Sequence, residues 1–261
     1  MIIDNHTHIF PEHVVERAME SLCTRYDITP AGLATPGGLI EHMDECGVDK
    51  SVIVAVTTKP EQVPSVNKWF ASLASDRLIP FGSIHPHVDD LEGEVQRALD
   101  LGIPGIKVHA HFQDFALNDP KFLRLLELID NRLVLLFHAG DEIAPQDYIE
   151  TTPRRLLNIH EAFPEQRIIL AHMGSYGQWD EVEELLIGRD VYFDASYTFD
   201  LCPDARIERM MRAHGIDRII WGSDFPWQSQ CQCVAGMERL GLTDNERRAI
   251  YSENLIGLLQ G

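Results

Sequence analysis

Basic residues are scarce in this chain. Its 261 residues include 22 Lys and Arg against 41 Asp and Glu, which gives a formal net charge of −19 at pH 7. Such a surface would repel phosphate backbones, because no cluster of Lys or Arg offsets the acidic charge. The composition therefore argues against a nucleic-acid partner, and the acidic charge is explained by solubility alone.

Cysteine is also sparse, and the chain begins without the pattern of an export signal. The five cysteines are scattered and odd in number, and Met1 leads directly into an apolar segment without a basic region before it. We therefore expect a cytoplasmic protein with reduced thiols. Cys231 and Cys233 could bind a soft metal, but they lack the second cysteine pair that such sites normally have.

Long hydrophobic runs are absent. The longest apolar runs, such as residues 133–137, fall far short of the roughly 20 residues that a membrane-spanning helix needs. With 44% hydrophobic and 24% charged residues, the composition is that of a globular protein that can bury a large core. The sequence therefore predicts no membrane partner.

What the chain does contain is a regular alternation of apolar and amphipathic segments. Eight short apolar segments are predicted to be buried strands: 1–3, 50–56, 78–84, 105–108, 133–137, 167–171, 191–194 and 218–222. Helical spacing is found in 60–74, 91–101, 120–131, 153–163, 179–187, 205–214 and 245–259. Apolar strands that alternate with helices are typical of a parallel sheet buried on both faces. Eight such units predict a closed (β/α)8 barrel, the TIM-barrel fold, as a single domain over residues 1–261.

Polar side chains repeatedly follow these predicted strands. His6 and His8 follow the first strand, and further candidates follow later strands: His85, His87, Lys107, His109, His111, His138, His172 and Asp224. In (β/α)8 barrels the C-terminal ends of the strands meet at the mouth, where active sites lie. Nitrogen and oxygen donors gathered there would bind one divalent metal ion, zinc first, with manganese or iron as alternatives.

Four motifs in this order resemble those of the amidohydrolase superfamily, in the branch related to aminocarboxymuconate semialdehyde decarboxylase. They are His6-Thr-His8, Phe137-His-Ala-Gly140, Ala171-His-Met-Gly174 and Gly222-Ser-Asp-Phe-Pro226, and the resemblance covers essentially the whole chain. It implies that His6, His8 and His138 are metal ligands, with Asp224 as the fourth ligand or a close axial partner. It also implies that His172 is a base or an electrophile near the bound water.

Lys107 leaves the number of ions open. It lies in Gly105-Ile-Lys-Val-His109, where binuclear members of the superfamily have a carbamylated lysine that bridges two metals. In the decarboxylase-like branch the sites are usually mononuclear, and a lysine here is not a ligand. We therefore expect one ion, with a binuclear site bridged by carbamylated Lys107 as the alternative.

Three functions fit these residues. The first is hydrolysis of a small amide, lactone or ester by a metal-activated water, with Asp224 as the proton acceptor and His172 polarising the carbonyl. The second is non-oxidative decarboxylation of a small unsaturated or aromatic carboxylic acid. Such an anion usually needs an arginine, and Arg25 and Arg77 stand in no motif that marks them, so hydrolysis ranks first. The third is a metal-holding scaffold without catalysis, which the retained His172 and Asp224 disfavour.

The remaining predictions concern the surroundings of the site. His109, Phe112 and Trp227 are expected to contact a small-molecule substrate, although core packing competes equally for the aromatic residues. The long segment 32–38 could lie over the site. Four histidines lie away from the predicted strand ends and are expected at the surface: His13, His42, His160 and His214. Exposed apolar helix faces could support a homodimer, but the sequence locates no interface.

Overall fold

Eight parallel strands form the centre of the molecule. The structure is a computed structural model that describes residues 1–144 and 147–261. The strands are β1 (Ile3–Thr7), β2 (Lys50–Val54), β3 (Leu78–Gly82), β4 (Gly105–Val108), β5 (Val134–Phe137), β6 (Ile168–Leu170), β7 (Tyr192–Asp194) and β8 (Ile219–Ile220). Each pairs in parallel with the next along the chain. The predicted (β/α)8 barrel is confirmed.

Helices cover the outside of this barrel and one of its ends. They are α1 (Glu12–Tyr26), α2 (Pro36–Cys46), α3 (Val63–Ser72), α4 (Leu91–Asp100), α5 (Pro120–Ile129), α6 (Pro153–Ala162), α7 (Trp179–Leu185), α8 (Asp204–His214), α9 (Gln230–Arg239), α10 (Asp244–Arg248) and α11 (Asn254–Gln260). Several of them begin with ordinary start signals, a capping side chain or a proline in the first turn. At α5, for example, Pro120 follows Asp119, whose carboxylate accepts a hydrogen bond from Lys121 N.

Backbone hydrogen bonds between β1 and the segment around β8 close the ring. Asn5 N donates to Trp221 O at 3.0 Å, and Asp224 N donates to His6 O at 2.9 Å. A parallel bridge also joins Thr7 to Phe225. The residues that follow the first and the last strand are therefore held side by side at one rim.

The core has two parts on either side of the strands. Alternate strand residues such as Val52, Val134 and Ile169 pack together with Leu255 and Leu258 of α11. A larger cluster fills the space between the other strand faces and the surrounding helices. Arg167, just before β6, donates to Leu258 O at 2.8 Å, so α11 lies at the N-terminal end of the barrel. The opposite end is left free for the site.

The element boundaries differ from the sequence-based expectation in a few places. β1 runs over residues 3–7 instead of 1–3, because its polar residues are fully buried and find partners inside the molecule. The predicted helix 245–259 is divided by a π turn at Ala249–Glu253. Helices α1, α2 and α9 were not predicted. The segment 32–38 runs into α2, and Ala31 N, just before it, donates to Pro226 O at 2.7 Å.

The prediction of five reduced cysteines is wrong for two of them. Cys46 and Cys231 form a disulfide between α2 and α9, while Cys23, Cys202 and Cys233 are free. The partners lie 185 residues apart in sequence, so no spacing rule could pair them. Because Cys231 is bonded in this way, the pair Cys231 and Cys233 is not a soft-metal site in this form.

Two of the four histidines expected at the surface lie inside the structure. His214 is 1% exposed, stacks on Phe193 with ring centroids 3.8 Å apart, and its Nε2 lies 2.7 Å from Val191 O. His42 is largely covered, and its Nε2 accepts a hydrogen bond from Gln230 N. Both imidazoles satisfy backbone groups at helix packing contacts, a role that helical position alone does not reveal.

The outer surface gives little further information about partners. No helix in the described parts of the chain is long and apolar enough to span a bilayer. The exposed large hydrophobic residues are scattered: Met1, Leu33, Tyr148 and Leu201. The homodimer therefore stays a prediction.

Burial of His214 should make stability depend on pH. Burial lowers the pKa of His214 from 6.5 to about 4, so the folded state prefers the neutral ring and loses stability as the pH falls from 6.5 towards 4. We expect His214→Gln to be less stable than the wild type at pH 7, and the gap to shrink by about 3 kcal/mol at pH 4. Urea denaturation at several pH values measures this. A gap independent of pH would contradict it, and His13→Gln, at an exposed position, serves as the control.

Candidate active site

A chamber of about 800 Å³ opens at the C-terminal ends of the strands. The polar groups at its deep end, where the strands stop, include His6, His8, Lys107, His138, His172 and Asp224. The structure thus brings together all the residues predicted as catalytic or metal-binding. Their individual roles stay predictions.

Most of the chamber wall is apolar, and helix α1 supplies one side of it. Val14, Ala18, Leu22 and Tyr26 line the chamber and recur every four residues, which places them on one face of the helix. This spacing was visible in the sequence but was not used to predict a helix. No residue of the described segment 32–38 lines the chamber, so that segment does not cover the site.

His6, His8 and Asp224 form the first group of metal-binding type. Their ligand atoms lie within 4.8 Å of one another. Asp224 Oδ1 is 3.4 Å from His6 Nε2 and 3.1 Å from His8 Nε2, and it is buried without a hydrogen-bond partner in the described residues. Ligands of a tetrahedral ion with bonds of about 2.1 Å lie about 3.4 Å apart. The geometry and the donor set therefore fit a divalent ion.

Asp194 at the end of β7 fixes the orientation of His6. Its Oδ2 lies 3.1 Å from His6 Nδ1, and its Oδ1 accepts hydrogen bonds from His172 N and Ser196 N. A carboxylate can only accept, so His6 donates from Nδ1 and carries the lone pair that a ligand role needs on Nε2. Asp194 was not predicted, although a polar residue that ends a buried strand was the signal used for the other strands.

A second hydrogen-bonded chain sets the proton positions on His172 and His138. His172 Nδ1 lies 3.1 Å from the carbonyl oxygen of Ser196, which accepts only. Neutral His172 therefore carries its proton on Nδ1 and accepts at Nε2, which is 3.2 Å from His138 Nδ1. His138 then donates from Nδ1 and turns an unprotonated Nε2 into the chamber.

Burial keeps these imidazoles neutral. It lowers the pKa of His172 to about 4 and, together with the charge of Lys107, the pKa of His138 to about 3. The same two causes hold the pKa of His6 well below its usual value. Burial on its own would raise the pKa of Asp224, but His6 and His8 outweigh it and hold that pKa below the ordinary range. At pH 7 the site offers neutral nitrogens and a carboxylate, the forms that bind metal ions.

Lys107 is an unusual neighbour for such a site. Its side chain is 1% exposed, and Nζ lies 2.7 Å from His6 Nε2. Burial lowers the pKa of Lys107 to about 8, although Asp224 and Asp194 act in the opposite direction. An ion on His6 must replace this hydrogen bond, which the lowered pKa of the ammonium makes easier.

The predicted substrate contacts also line the chamber. His109, Phe112 and Trp227 all contribute to its wall, and the Phe112 ring packs against that of His109 with centroids 4.2 Å apart and an angle of 42° between the planes. His138 groups with His109 and Glu142, and not with the first group. Glu142, on the loop after β5, was missed because nothing in its sequence position marks it.

Comparisons with known proteins come from sequence and from structure. A family model described as amidohydrolase matches residues 3–256. No curated protein matches the chain by sequence. Three similar solved structures share the fold at 16–17% identity.

The first is 5-carboxyvanillate decarboxylase from Novosphingobium aromaticivorans, complexed with manganese and 4-hydroxy-3-methoxy-5-nitrobenzoic acid. It is 16% identical, with a TM-score of 0.79 over 100% of this chain and 96% of that chain. The second, 2,6-dihydroxybenzoate decarboxylase from Rhizobium, is 16% identical, with a TM-score of 0.74 over 99% and 98%. The third, a probable 2-pyrone-4,6-dicarboxylic acid hydrolase from Acinetobacter baumannii, is 17% identical, with a TM-score of 0.68 over 100% and 99%.

Removing the charge of Asp194 should weaken metal binding without touching a ligand. We expect Asp194→Asn to lower the affinity for Zn²⁺ or Mn²⁺ about 10- to 100-fold, because His6 loses the partner that fixes its tautomer. Isothermal titration of the metal measures this. Asp190→Asn is the matched control, since that side chain is 80% exposed and lies just before the same strand. Unchanged affinity in Asp194→Asn would contradict the orienting role.

Proposed function

The chain belongs to the amidohydrolase family, and we propose that it is a metal-dependent decarboxylase of a small unsaturated or aromatic carboxylic acid. One observation carries the proposal: imidazoles, a carboxylate and an ammonium group lie at the deep end of a chamber with otherwise mostly apolar walls. Two of the three similar structures are decarboxylases by name. The sequence alone ranked hydrolysis first, whereas these similar structures favour decarboxylation.

The residues of the first group would hold the ion. His6, His8 and Asp224 offer two nitrogens and one oxygen, a donor set that suits zinc, manganese or iron. When bound, the ion would supply a Lewis acid that holds the carboxylate of the substrate. Lys107 lies beside this position and would add a second positive charge. His138, predicted as a further ligand, lies in the neighbouring group with His109 and Glu142.

Decarboxylation makes two demands on the protein. First, the bond between the carboxylate carbon and the unsaturated carbon must break, with its electron pair staying on the unsaturated carbon. Second, a proton must reach that carbon as carbon dioxide leaves. Apolar walls meet the first demand, because they remove the water that stabilises the carboxylate more than the neutral product. Val14, Leu22 and Phe70 are part of that wall.

Asp224 is the proposed proton donor for the second demand. Its pKa lies below the ordinary range in the free site, because His6 and His8 outweigh the effect of burial. A substrate carboxylate beside it would raise that pKa, so Asp224 would take up a proton from solvent as the substrate binds and pass it to the unsaturated carbon as carbon dioxide leaves. His172, held by Ser196, would keep the substrate in line with Asp224.

The two arginines considered as anchors differ in position. Arg25 lies over the rings of Tyr26 and Phe112, 5.5 and 5.7 Å from their centroids, and both rings line the chamber. Arg77 donates to the carbonyl oxygen of Asp49, the residue before β2, at the far end of the barrel. We therefore assign the anchoring of a substrate carboxylate to Arg25, in addition to Lys107, and not to Arg77.

Hydrolysis of a lactone, ester or amide is the second candidate. The probable pyrone dicarboxylic acid hydrolase shares the fold, and the same groups would serve this reaction. Asp224 would take the proton of the attacking water and His172 would polarise the carbonyl. Zinc remains the ion that the sequence favours, and the manganese of a similar decarboxylase favours neither reaction by itself.

A paired substrate screen separates these reactions. Metal-loaded protein should release carbon dioxide from at least one hydroxybenzoic or other unsaturated carboxylic acid, and Asp224→Asn should lower kcat about 100- to 10,000-fold. Metal content must be measured alongside, because Asp224 is also a proposed ligand. Asp76→Asn, an exposed carboxylate, is the control. Turnover of lactones or esters without carbon dioxide would favour hydrolysis, and inactivity in both screens would favour a scaffold.

A substitution of Lys107 tests whether this residue only competes with an ion for His6 or bridges two ions. If the ammonium group only competes for His6, Lys107→Met should bind the first ion at least about tenfold more tightly, because a charge-assisted hydrogen bond no longer opposes it. Lys68→Met on the exposed face of α3 is the control. Weaker binding, with wild-type activity that depends on bicarbonate, would instead support carbamylated Lys107 bridging two ions.

A further inference from the structure

His109, His138 and Glu142 form a second group that lies apart from the proposed ligands His6, His8 and Asp224. Their ligand atoms lie within 4.8 Å of one another, and the two groups share no residue. His109 follows β4, while His138 and Glu142 follow β5. Nothing in the reaction proposed above uses this arrangement.

The proton positions leave two acceptors facing each other. His138 donates from Nδ1 to His172, so its Nε2 carries a lone pair. That atom lies 3.4 Å from Glu142 Oε1, which is also an acceptor. Both atoms are buried and have no hydrogen-bond partner within the described parts of the chain. Two buried lone pairs at this distance repel each other unless a proton or a metal cation lies between them.

The distances match those between ligands of one ion. Glu142 Oε1 is 3.4 Å from His138 Nε2 and 3.6 Å from His109 Nε2. Both separations are too long for good hydrogen bonds. They are close to the roughly 3.4 Å that separates two ligands on a tetrahedral ion with bonds of about 2.1 Å. In the first group, Asp224 Oδ1 lies 3.4 Å from His6 Nε2 and 3.1 Å from His8 Nε2.

The remaining contacts hold the three side chains in place. The second oxygen of Glu142 accepts a hydrogen bond from Tyr26 OH at 3.2 Å, so Oε1 is turned towards the histidines. The rings of His109 and His138 are stacked 4.2 Å apart with an angle of 3° between their planes. The Glu142 side chain is 8% exposed, so its charge is largely shielded from water. A carboxylate buried in this way calls for a positive partner.

We propose that His109, His138 and Glu142 bind a second divalent cation, next to the one assigned to His6, His8 and Asp224. Two imidazole nitrogens and one carboxylate oxygen suit Zn²⁺, with Mn²⁺ or Fe²⁺ as alternatives. This arrangement differs from a lysine-bridged pair because it needs no carbamylated Lys107. It also gives His138 to the second ion instead of the first.

Metal stoichiometry tests the proposal directly. Metal-free protein is titrated with Zn²⁺ by calorimetry, and the zinc content after dialysis is measured by elemental analysis. We expect two ions per chain in the wild type and one in Glu142→Gln or His109→Asn. Asp224→Asn should keep one ion, and the double variant Asp224→Asn with Glu142→Gln should keep none. His111→Asn, an exposed neighbour of His109, is the control and should keep two.

The absorption spectrum of Co²⁺-substituted protein gives a readout that does not depend on activity. We expect two separable sets of visible bands, one lost in Glu142→Gln and the other in Asp224→Asn. Circular dichroism checks that each variant folds, and the Glu142→Gln side chain keeps its shape. One ion per chain that Glu142→Gln leaves in place and His138→Asn removes would overturn the proposal.

The same variants separate this proposal from the proposed function. If Asp224→Asn loses no ion while Glu142→Gln loses one, the first site fails and the second stands. If Glu142→Gln keeps both the ion content and the Co²⁺ spectrum of the wild type, the second site fails and the first is unaffected.

Discussion

The direction of the buried hydrogen bonds is the constraint on which this site depends. Asp194 and the carbonyl oxygen of Ser196 can only accept, so His6 and His172 must donate from Nδ1. His138 must then donate to His172. Each of these proton positions leaves a lone pair on Nε2. That of His172 accepts the hydrogen bond from His138, and those of His6 and His138 face the chamber. The affinity of the site for cations is therefore decided by acceptors that lie beneath it.

The chamber combines these polar groups at its deep end, here called the floor, with apolar walls. Charges are costly to bury, and the floor limits the cost because its histidines are neutral and its carboxylates lie near positive or polar partners. A substrate with a carboxylate would meet Lys107 and the proposed ion at the floor and apolar side chains such as Leu22 above it. Apolar walls would keep water away where the substrate loses charge, which would suit loss of carbon dioxide better than attack by water.

Most of the site could be predicted because barrel topology converts sequence order into position. Any polar residue that ends a buried strand must reach the same rim, so His6, His138 and Asp224 were found without knowledge of their distances. Asp194 obeys the same rule and was overlooked. Glu142 does not obey it, since it lies five residues beyond β5 and reaches the site only through the path of a loop.

Other features were invisible because they depend on contacts between distant segments. The Cys46–Cys231 disulfide joins two helices separated by most of the chain, and α9 itself was not predicted. His214 lies on a helix as expected, yet it faces Phe193 and Val191 because α8 packs against β7. Helical periodicity gives the face of a residue but not what covers that face. The sequence therefore did not predict how the helices and strands pack against one another.

Closure of the barrel and the geometry of the first group depend on the same residue, Asp4. Its carboxylate is fully buried, which raises its pKa to about 6. It accepts hydrogen bonds from His6 N at 3.0 Å, Ser223 N at 2.9 Å and Gln230 Nε2 at 2.8 Å. Asp4 thus ties β1 to the loop that carries Asp224 and to α9.

That tie matters because ligands of one ion tolerate changes of only a few tenths of an ångström in their separation. Asp224 has a φ of 69°, a left-handed conformation that persists only when neighbouring contacts impose it. The bond from its N–H to His6 O and the anchoring of Ser223 by Asp4 are such contacts. The strands that close the barrel therefore also set the distance between His6 and Asp224, so loss of closure would cost stability and metal affinity together.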